Sequence, residues 1–267
     1  MTPPRKAAWG VLLFVLVCSF SADLLSPAPY EKQFRESPNA APSRQFPLGT
    51  DGLGRDRLSR LLHGSRISLL MAPAAAALTT LIAAVLGASA GYLGGWWERR
   101  VLNLTDLFLS LPWFFLLLTV RATLPLNAAP LVSVMITFTM LGLLGWAAPA
   151  RVIRAGVRSR RDAEFVLQAR ACGVRGFRLV FVHLLPNLKP VLYAQFWISV
   201  PVFILAEANL GLLGLGVAEP LPSWGGLLRE LENYPAIPEN PWMLAPLVLL
   251  ILVVGSLQSV ISEEVDL

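Results

Sequence analysis

Long stretches without a charged residue restrict how this chain can fold more than any other feature. Four of them cover residues 67–97, 122–150, 190–206 and 240–262. A membrane-spanning helix needs roughly 20 mainly apolar residues to cross ~30 Å of hydrocarbon, and each stretch is near or above that length. With a mean hydropathy of +0.61 and only 15% charged residues, the chain lies outside the range of soluble proteins and is predicted to be a membrane protein.

Two shorter apolar stretches, residues 7–22 and 107–120, bring the expected number of spans to about six. The predicted fold is therefore all-α, a polytopic membrane helix bundle with about six transmembrane helices. The first stretch follows Arg5 and Lys6 and also has the form of a cleaved secretory signal, but we expect a retained signal anchor. Residues 1–66 would then form an N-terminal anchor with an extracytoplasmic loop and an interfacial helix, and residues 67–267 the main membrane domain.

The basic residues favour one topology only weakly. With six spans both termini share a side, and a cytoplasmic N-terminus places 13 of the 22 Lys and Arg residues inside. This is the direction of the positive-inside rule, although the excess is small. The acidic tail of Glu263, Glu264 and Asp266 adds no support to it.

Two local patterns lie around the second span. Arginines alternate with leucines between residues 55 and 66, which predicts a helix lying at the membrane surface. Gly87, Gly91 and Gly95 recur every four residues and would form one smooth helix face, where another helix of the chain can approach closely.

The loop of about residues 151–189, between the fourth and fifth spans, is predicted to hold a pair of short helices. The first, residues 162–172, has apolar side chains at helical spacing: Phe165, Val166, Ala169 and Cys172. Ser159 and Asp162 are candidates for its N-cap, and Gly173 would end it. Exposed apolar stripes on such a hairpin favour docking of a soluble partner over a solvated connector.

The second helix of the pair is expected at about residues 175–185. It would carry four apolar residues on one side: Phe177, Val180, Phe181 and Leu184. It should stop before Pro186, because proline disfavours helical geometry in the residue that precedes it.

Several kinds of chemistry have no motif in this sequence. No phosphate-binding G-x-x-x-x-G-K-[ST], no H-E-x-x-H and no Cys/His cluster with metal spacing occurs. We therefore predict no catalytic residue, no metal ligand and no directly bound cofactor. Asp106 and Glu207 lie well inside apolar stretches, where acids are often functional. They keep open the alternative of a self-sufficient secondary transporter, although helix-end or interhelical hydrogen bonds are the favoured interpretation.

Five ordered motifs resemble one family over nearly the whole chain. They are "FPLGTDGLGRDRLSRLLHGSRISLL" (46–70), "LTDLFLSLP" (104–112), "EFVLQARACG" with "HLLPN" (164–173 and 183–187), "ILAEANLGLLGLGV" (204–217) and "PSWG" (222–225). They resemble the inner-membrane permeases of ABC importers, specifically the C-type permease of dipeptide, oligopeptide and nickel uptake systems. Residues 67–267 would then be the ABC permease domain.

The resemblance implies a transport subunit rather than an enzyme, in a bacterial or archaeal cytoplasmic membrane with both termini cytoplasmic. Its partners would be a second, B-type permease, two ATPases that bind ATP and Mg, an extracytoplasmic substrate-binding protein and the lipid bilayer, but no nucleic acid. The loop at 151–189 would be the coupling loop that contacts the ATPases. The coupling residues it assigns are Glu164, Phe165, Ala169, Gly173, His183, Leu185 and Pro186.

The chain departs from the family pattern at two places. The family's Glu-Ala-Ala triplet before the coupling glycine falls on Leu167, Gln168 and Ala169, and only the last agrees. The C-terminus "VVGSLQSVISEEVDL" lacks the basic ending that is common in relatives. The motifs leave open whether the cargo is a peptide, a nickel complex, an opine or a sugar, and whether the permease pair is homo- or heterodimeric.

Overall fold

A computed structural model describes residues 3–125, 128–233 and 236–265, and the regular structure in these ranges is helical. The α-helices are α1 Pro3–Phe20, α2 Ala22–Leu25, α3 Arg57–Leu93, α4 Gly95–Ser110, α5 Trp113–Thr123, α6 Pro130–Leu144, α7 Ala147–Arg160, α8 Glu164–Ala171, α9 Gly176–Leu179, α10 Lys189–Leu212, α11 Trp224–Leu228 and α12 Ala245–Val265. A π-helical turn, Val180–Leu184, and a 3₁₀ turn, Leu185–Leu188, join α9 to α10. The expected all-α fold is confirmed.

Three continuous helical segments are long and apolar enough to cross a membrane: Arg57–Leu93, Gly176–Leu212 and Pro241–Ser262. Two bent pairs, α4 with α5 and α6 with α7, raise the number to five if each pair is one span. The 18-residue α1 covers most of the first expected span. Each of the six apolar stretches therefore corresponds to helix, as expected for a polytopic membrane bundle.

The third expected span, residues 107–120, is not one straight helix. α4 already begins at Gly95 and ends at Ser110, and the chain turns by 89° before α5. Leu111, between the two, is extended, with φ −83° and ψ 135°. Pro112 favours this break, because its ring disfavours helical geometry in the preceding residue.

The arginine-rich segment before the second span is not a separate helix. It forms the first turns of α3, which continues without interruption from Arg57 to Leu93. Asp56 caps this helix, because its Oδ2 accepts hydrogen bonds from the backbone N–H of Ser59 at 2.7 Å and from the Ser59 hydroxyl at 2.6 Å. Arg60, which should face lipid headgroups, is only 1% exposed within the protein.

The chain divides into two compact units. Unit 1 contains Met1–Ala72, Arg121–Phe138 and Pro201–Leu267, and in it α1 packs along α12. Trp224 is fully buried in unit 1, and its indole N–H donates to Ser65 Oγ at 2.8 Å. Unit 2 contains Pro73–Val120 and Thr139–Val200. The expected division of the chain at residue 66 falls inside α3 and stays a prediction.

The core of unit 2 joins the second half of α3, α7 and the segment that follows α7. Its fully buried members include Ala83, Ala88, Ile153, Val157, Val166, Leu179, Leu184 and Leu188. Asp266 and the side chains of Glu263 and Glu264 lie outside the described part of the chain, so the role of the acidic tail stays open.

Candidate functional site

The hairpin, residues 162–187, turns at a glycine that the helix end requires. After α8, Gly173 adopts a left-handed conformation with φ +83°. Its N–H donates to the Arg170 carbonyl at 3.0 Å, and the Val174 N–H donates to the Ala169 carbonyl at 3.0 Å. This pair of bonds is the Schellman motif, which closes a helix and reverses the chain.

Two predicted details of the hairpin are wrong. The N-cap of α8 is Ala163, without a side-chain cap, while the Ser159 hydroxyl bonds the Gly156 carbonyl inside α7. The second helix does not stop before Pro186, because helical structure continues from Gly176 to Leu212. The π-helical and 3₁₀ turns around Pro186 change the bonding pattern locally, so the missing proline N–H does not break the helix.

The inner face of the hairpin packs on α7. Val166 of α8 and Leu179 and Leu184 of the second arm are fully buried in the same core as Val157 of α7. A Cβ added to Gly156 of α7 would lie 2.8 Å from Leu188 Cδ2. Because well-packed cores resist deformation, a force on the hairpin is passed to α7.

Three apolar side chains of the hairpin are exposed, and two of them, Phe177 and Phe181, border a hollow shared with Val85 and Tyr92 of α3. Leu167 is 50% exposed, Phe177 71% and Phe181 46%, and the two phenylalanine rings stack with centroids 6.3 Å apart. We expected Phe177, Val180, Phe181 and Leu184 to share one face, but the structure buries Val180 and Leu184 and exposes the two phenylalanines. Cys172, predicted on the apolar face of α8, is also exposed.

The predicted coupling residues are divided between the two faces. Glu164 and Gly173 are exposed, and Ala169 and Leu185 are buried. Phe165, His183 and Pro186 are half-buried, and the His183 carbonyl accepts a hydrogen bond from the Asn187 amide at 2.6 Å. Leu167, which replaces the acid of the family triplet, belongs to the exposed face that a partner could contact.

The two acids inside apolar stretches have different surroundings. Asp106 of α4 pairs with Arg151 of α7 at 2.7 Å, and both side chains are about half exposed. Glu207 of α10 is fully buried, and its Oε2 accepts a hydrogen bond from the Gly225 backbone N–H at 3.4 Å. Its Oε1 has no hydrogen-bond partner among the described residues. A Cβ at Gly225 would lie 2.9 Å from that oxygen, so the close approach requires glycine.

Two of the three spaced glycines lie at a helix contact. A Cβ on Gly87 would clash with the backbone of Ala150, and one on Gly91 would lie 2.7 Å from the Arg154 carbonyl oxygen. α3 and α7 therefore approach within backbone contact there. The prediction for Gly95 is wrong, because α3 ends at Leu93 and Gly95 begins α4 with open space around it.

Sequence reasoning missed a buried charge cluster in unit 1. Asp51 accepts hydrogen bonds from Arg55 Nε and Arg60 Nη1, each at 2.7 Å. Both arginines also pair with Glu219, with Arg60 at 2.8 Å from it. The arginines resembled a surface-helix pattern, and nothing in their spacing could identify an acid more than 150 positions away.

The cluster keeps Asp51 ionised. Burial raises the pKa of Asp51, but hydrogen bonds from the Arg55 backbone and side chain and the charges of Arg55 and Arg60 outweigh it, so the pKa lies below its usual value. Burial lowers the pKa of Arg55, and its bond to Asp51 and the charges of Asp51 and Glu219 outweigh that effect and raise it.

The chain is similar to a known family of transport components and to several of its members. The family model described as "Binding-protein-dependent transport system inner membrane component" matches residues 83–263. The dipeptide transport system permease protein DppC of Bacillus subtilis is 33% identical over 87% of this chain and 70% of its own length. The di/tripeptide transport system permease protein DppC of Pseudomonas aeruginosa is 36% identical over 86% and 77%.

A third relative, the oligopeptide transport system permease protein OppC of Bacillus subtilis, is 31% identical over 90% of this chain and 77% of its own length. All three relatives carry the permease names of the C-type subunits that the sequence motifs resemble. Their matches and the family model span the hairpin, the packed glycines and both intramembrane acids. The chain belongs to the binding-protein-dependent transport system inner membrane components, as a multi-pass permease.

Proposed function

We propose that this permease forms half of the translocation pathway of a peptide importer and that its hairpin receives the mechanical input of an ATPase. The observation that carries the proposal is the hairpin itself. Leu167, Phe177 and Phe181 of the hairpin are exposed, while its buried residues pack in one core with α7. An uncovered apolar face on a rigidly supported element is suited to bind a partner and to pass on its displacement.

The proposal assigns the pathway and the energy supply to different subunits, and the partners follow from it. A second permease of the B-type completes the pathway, two ATPase subunits bind ATP and Mg, and an extracytoplasmic binding protein delivers the cargo. The hairpin and both termini face the cytoplasm in this arrangement, where the ATPases reside. The names of the relatives, which refer to dipeptides, tripeptides and oligopeptides, support peptides as the cargo.

Docking on the hairpin depends on shape and apolar contact more than on charge, because Leu167 stands where the family has an acid. Phe165 is half-buried against the core that the hairpin shares with α7, so an aspartate there would place an unpaired charge in the packing that supports the contact, which is unfavourable. Phe165→Asp is therefore expected to abolish co-purification with a tagged ATPase subunit. Leu167→Glu, which restores the family's acid on an exposed position, is expected to retain it.

Arg178→Ala is the matched control, because it removes an exposed charge from the same hairpin without touching its apolar faces. Exposed charges contribute little to such contacts, so recovery of the ATPase should be normal. Full recovery of the ATPase with Phe165→Asp would identify the segment as a connector and contradict the proposal.

The cargo is tested by uptake into proteoliposomes that contain the whole transporter. Radiolabelled dipeptides, tripeptides and tetrapeptides are offered in parallel with a nickel–histidine complex. ATP-dependent uptake of a peptide is expected. Uptake of the nickel complex without uptake of any peptide would contradict peptides as the cargo. The alternative function, a self-sufficient secondary transporter, is the less favoured, since Asp106 pairs with Arg151 and Glu207 accepts a hydrogen bond from Gly225.

A further inference from the structure

α4 and α7 are joined by a ladder of ion pairs, which we call the α4–α7 ladder. Glu98 of α4 pairs with Arg154 and Arg158 of α7, at 2.7 Å from Arg158. Asp106 of α4 pairs with Arg151 at 2.7 Å. The later residue of α4 pairs with the earlier residue of α7, so the two helices run antiparallel. Eight residues separate the two acids, about two turns or ~12 Å along α4.

The three arginines lie on one face of α7, because their spacing of three and four residues repeats with the helix. The adjacent face of α7 packs in the core of unit 2, where Ala150, Ile153 and Val157 are buried. Gly87 and Gly91 of α3 contact α7 on that side. α7 is therefore held by close packing on one face and by charge pairs on the face next to it.

α7 also leads directly into the hairpin. Only residues 161–163 separate it from α8, and Val157 shares a buried core with Val166. A displacement of the hairpin therefore acts on α7 as well as on α10, into which the second arm continues. Whether α4 follows depends on the contacts between α4 and α7, and there the ladder provides specific partners. Apolar helix faces in lipid have no hydrophobic force to fix their register, whereas charge pairs with defined partners do.

We propose that Glu98 and Asp106 are positioning residues for coupling, which lock α4 to α7 so that both helices move as one body when the hairpin is pushed. The proposal rests on the proposed function of the hairpin as the ATPase contact. The two acids touch neither the ATPase nor the cargo in this scheme. They act through α7.

The test is a charge-reversal cycle on Asp106 and Arg151, the one-to-one rung of the ladder. The variants are Asp106→Arg, Arg151→Asp and the double exchange. Nitroxide labels at Leu104→Cys on α4 and Val152→Cys on α7 report the helix separation, with Cys18 and Cys172 replaced by serine. Both labelled positions are exposed and lie beside the rung. The complete transporter with its ATPases and binding protein is measured without nucleotide and after vanadate trapping with ATP.

In the labelled protein with neither charge reversed, we expect the same dipolar broadening of the nitroxide spectrum without nucleotide and after vanadate trapping. Each single reversal should make the broadening depend on nucleotide and should cause a several-fold loss of binding-protein-stimulated ATP hydrolysis. The double exchange should restore both measurements. A purely stabilising role would not give this pattern, because a loss of stability alone does not make the separation of α4 and α7 depend on nucleotide. If the single reversals fail to assemble, Asp106→Asn takes their place, because it removes the charge without introducing repulsion. It should give the same nucleotide-dependent broadening and loss of ATP hydrolysis.

Two results would overturn the proposal. One is broadening that changes with nucleotide in the unreversed protein, since α4 and α7 would then move separately. The other is wild-type behaviour of all the single variants. If the unreversed chain does not co-purify with ATPase subunits at all, the proposed function fails first, and this outcome is distinct from a failure of the ladder alone.

Discussion

Glu207 illustrates at the scale of one residue how a membrane helix can keep an acid. A charge exposed to the centre of a bilayer costs about 3 kcal/mol or more, and Glu207 avoids that cost by being buried inside unit 1. There it accepts a hydrogen bond from the Gly225 backbone and fills the space that two glycines leave. These contacts require an acceptor of this shape but no charge.

We therefore expect Glu207→Gln to assemble and transport nearly normally. Glu207→Leu should destabilise the permease by about 1–3 kcal/mol, because the Gly225 N–H loses its acceptor in a buried place. Thermal unfolding of the solubilised complex and peptide uptake measure the two effects. Loss of transport in Glu207→Gln with normal assembly would instead show that the charge itself is used.

The Asp51 cluster gives a second prediction at this scale. Asp51→Asn leaves Arg60 buried with one acid fewer, and removing one partner of a buried pair typically costs about 3–5 kcal/mol. The variant should unfold at a lower temperature at pH 7. Glu219→Gln should have a smaller effect, because the Glu219 side chain is half exposed and Asp51 remains.

The pH dependence of this effect follows from the lowered pKa of Asp51. A carboxyl with a lowered pKa in the folded state stabilises the protein above its ordinary pKa and loses that contribution as the pH falls through the folded value. The difference between wild type and Asp51→Asn should stay constant from pH 8 to pH 5 and shrink below the ordinary value of 3.8. A difference that disappears near pH 6 would contradict the ionised pair.

At the scale of secondary-structure elements, the hairpin depends on one backbone conformation. Gly173 has φ +83°, yet a Cβ placed on it would meet no atom within 4 Å. Any effect of a substitution there comes from backbone strain, because space is available. Left-handed geometry strongly disfavours β-branched residues and is tolerated by asparagine.

Gly173→Val is expected to reorient the second arm and release the ATPase, while Gly173→Asn should retain most of the binding. Co-purification with the tagged ATPase compares the two variants, and membrane insertion should be normal in both. Equal loss with valine and asparagine would mean that the side chain itself blocks a contact, and that backbone geometry is not the cause.

Hydropathy predicted the apolar elements well but not how they begin, bend and join. The spans could be predicted because crossing lipid requires long runs of apolar residues. The start of α3 could not, because its arginines are compensated by Asp51 and Glu219, which no local pattern connects to them. The α4–α7 ladder was missed for the same reason, and Gly95 was misplaced because four-residue spacing continued beyond the actual helix end.

At the scale of the whole molecule, the proposed function assigns the energy supply to partner subunits. No phosphate-binding motif occurs in its sequence. Purified alone in liposomes, the chain should neither hydrolyse ATP nor accumulate peptide. Addition of the second permease, the ATPases and the binding protein should produce ATP-dependent uptake. Uptake by the single chain driven by an ion gradient would contradict membership of a coupled complex.

The charge cluster of Arg60, Asp51 and Glu219 also sets an order for biogenesis. Arg60 and Glu219 are 159 positions apart, and Asp51 and Arg60 only nine. At the usual pace of synthesis, ~5–20 residues per second, Glu219 emerges on the order of ten to thirty seconds after Arg60. During that interval Asp51 is the acid of the cluster that is available to Arg60. The cluster can be completed only after the loop that contains Glu219 has been synthesised.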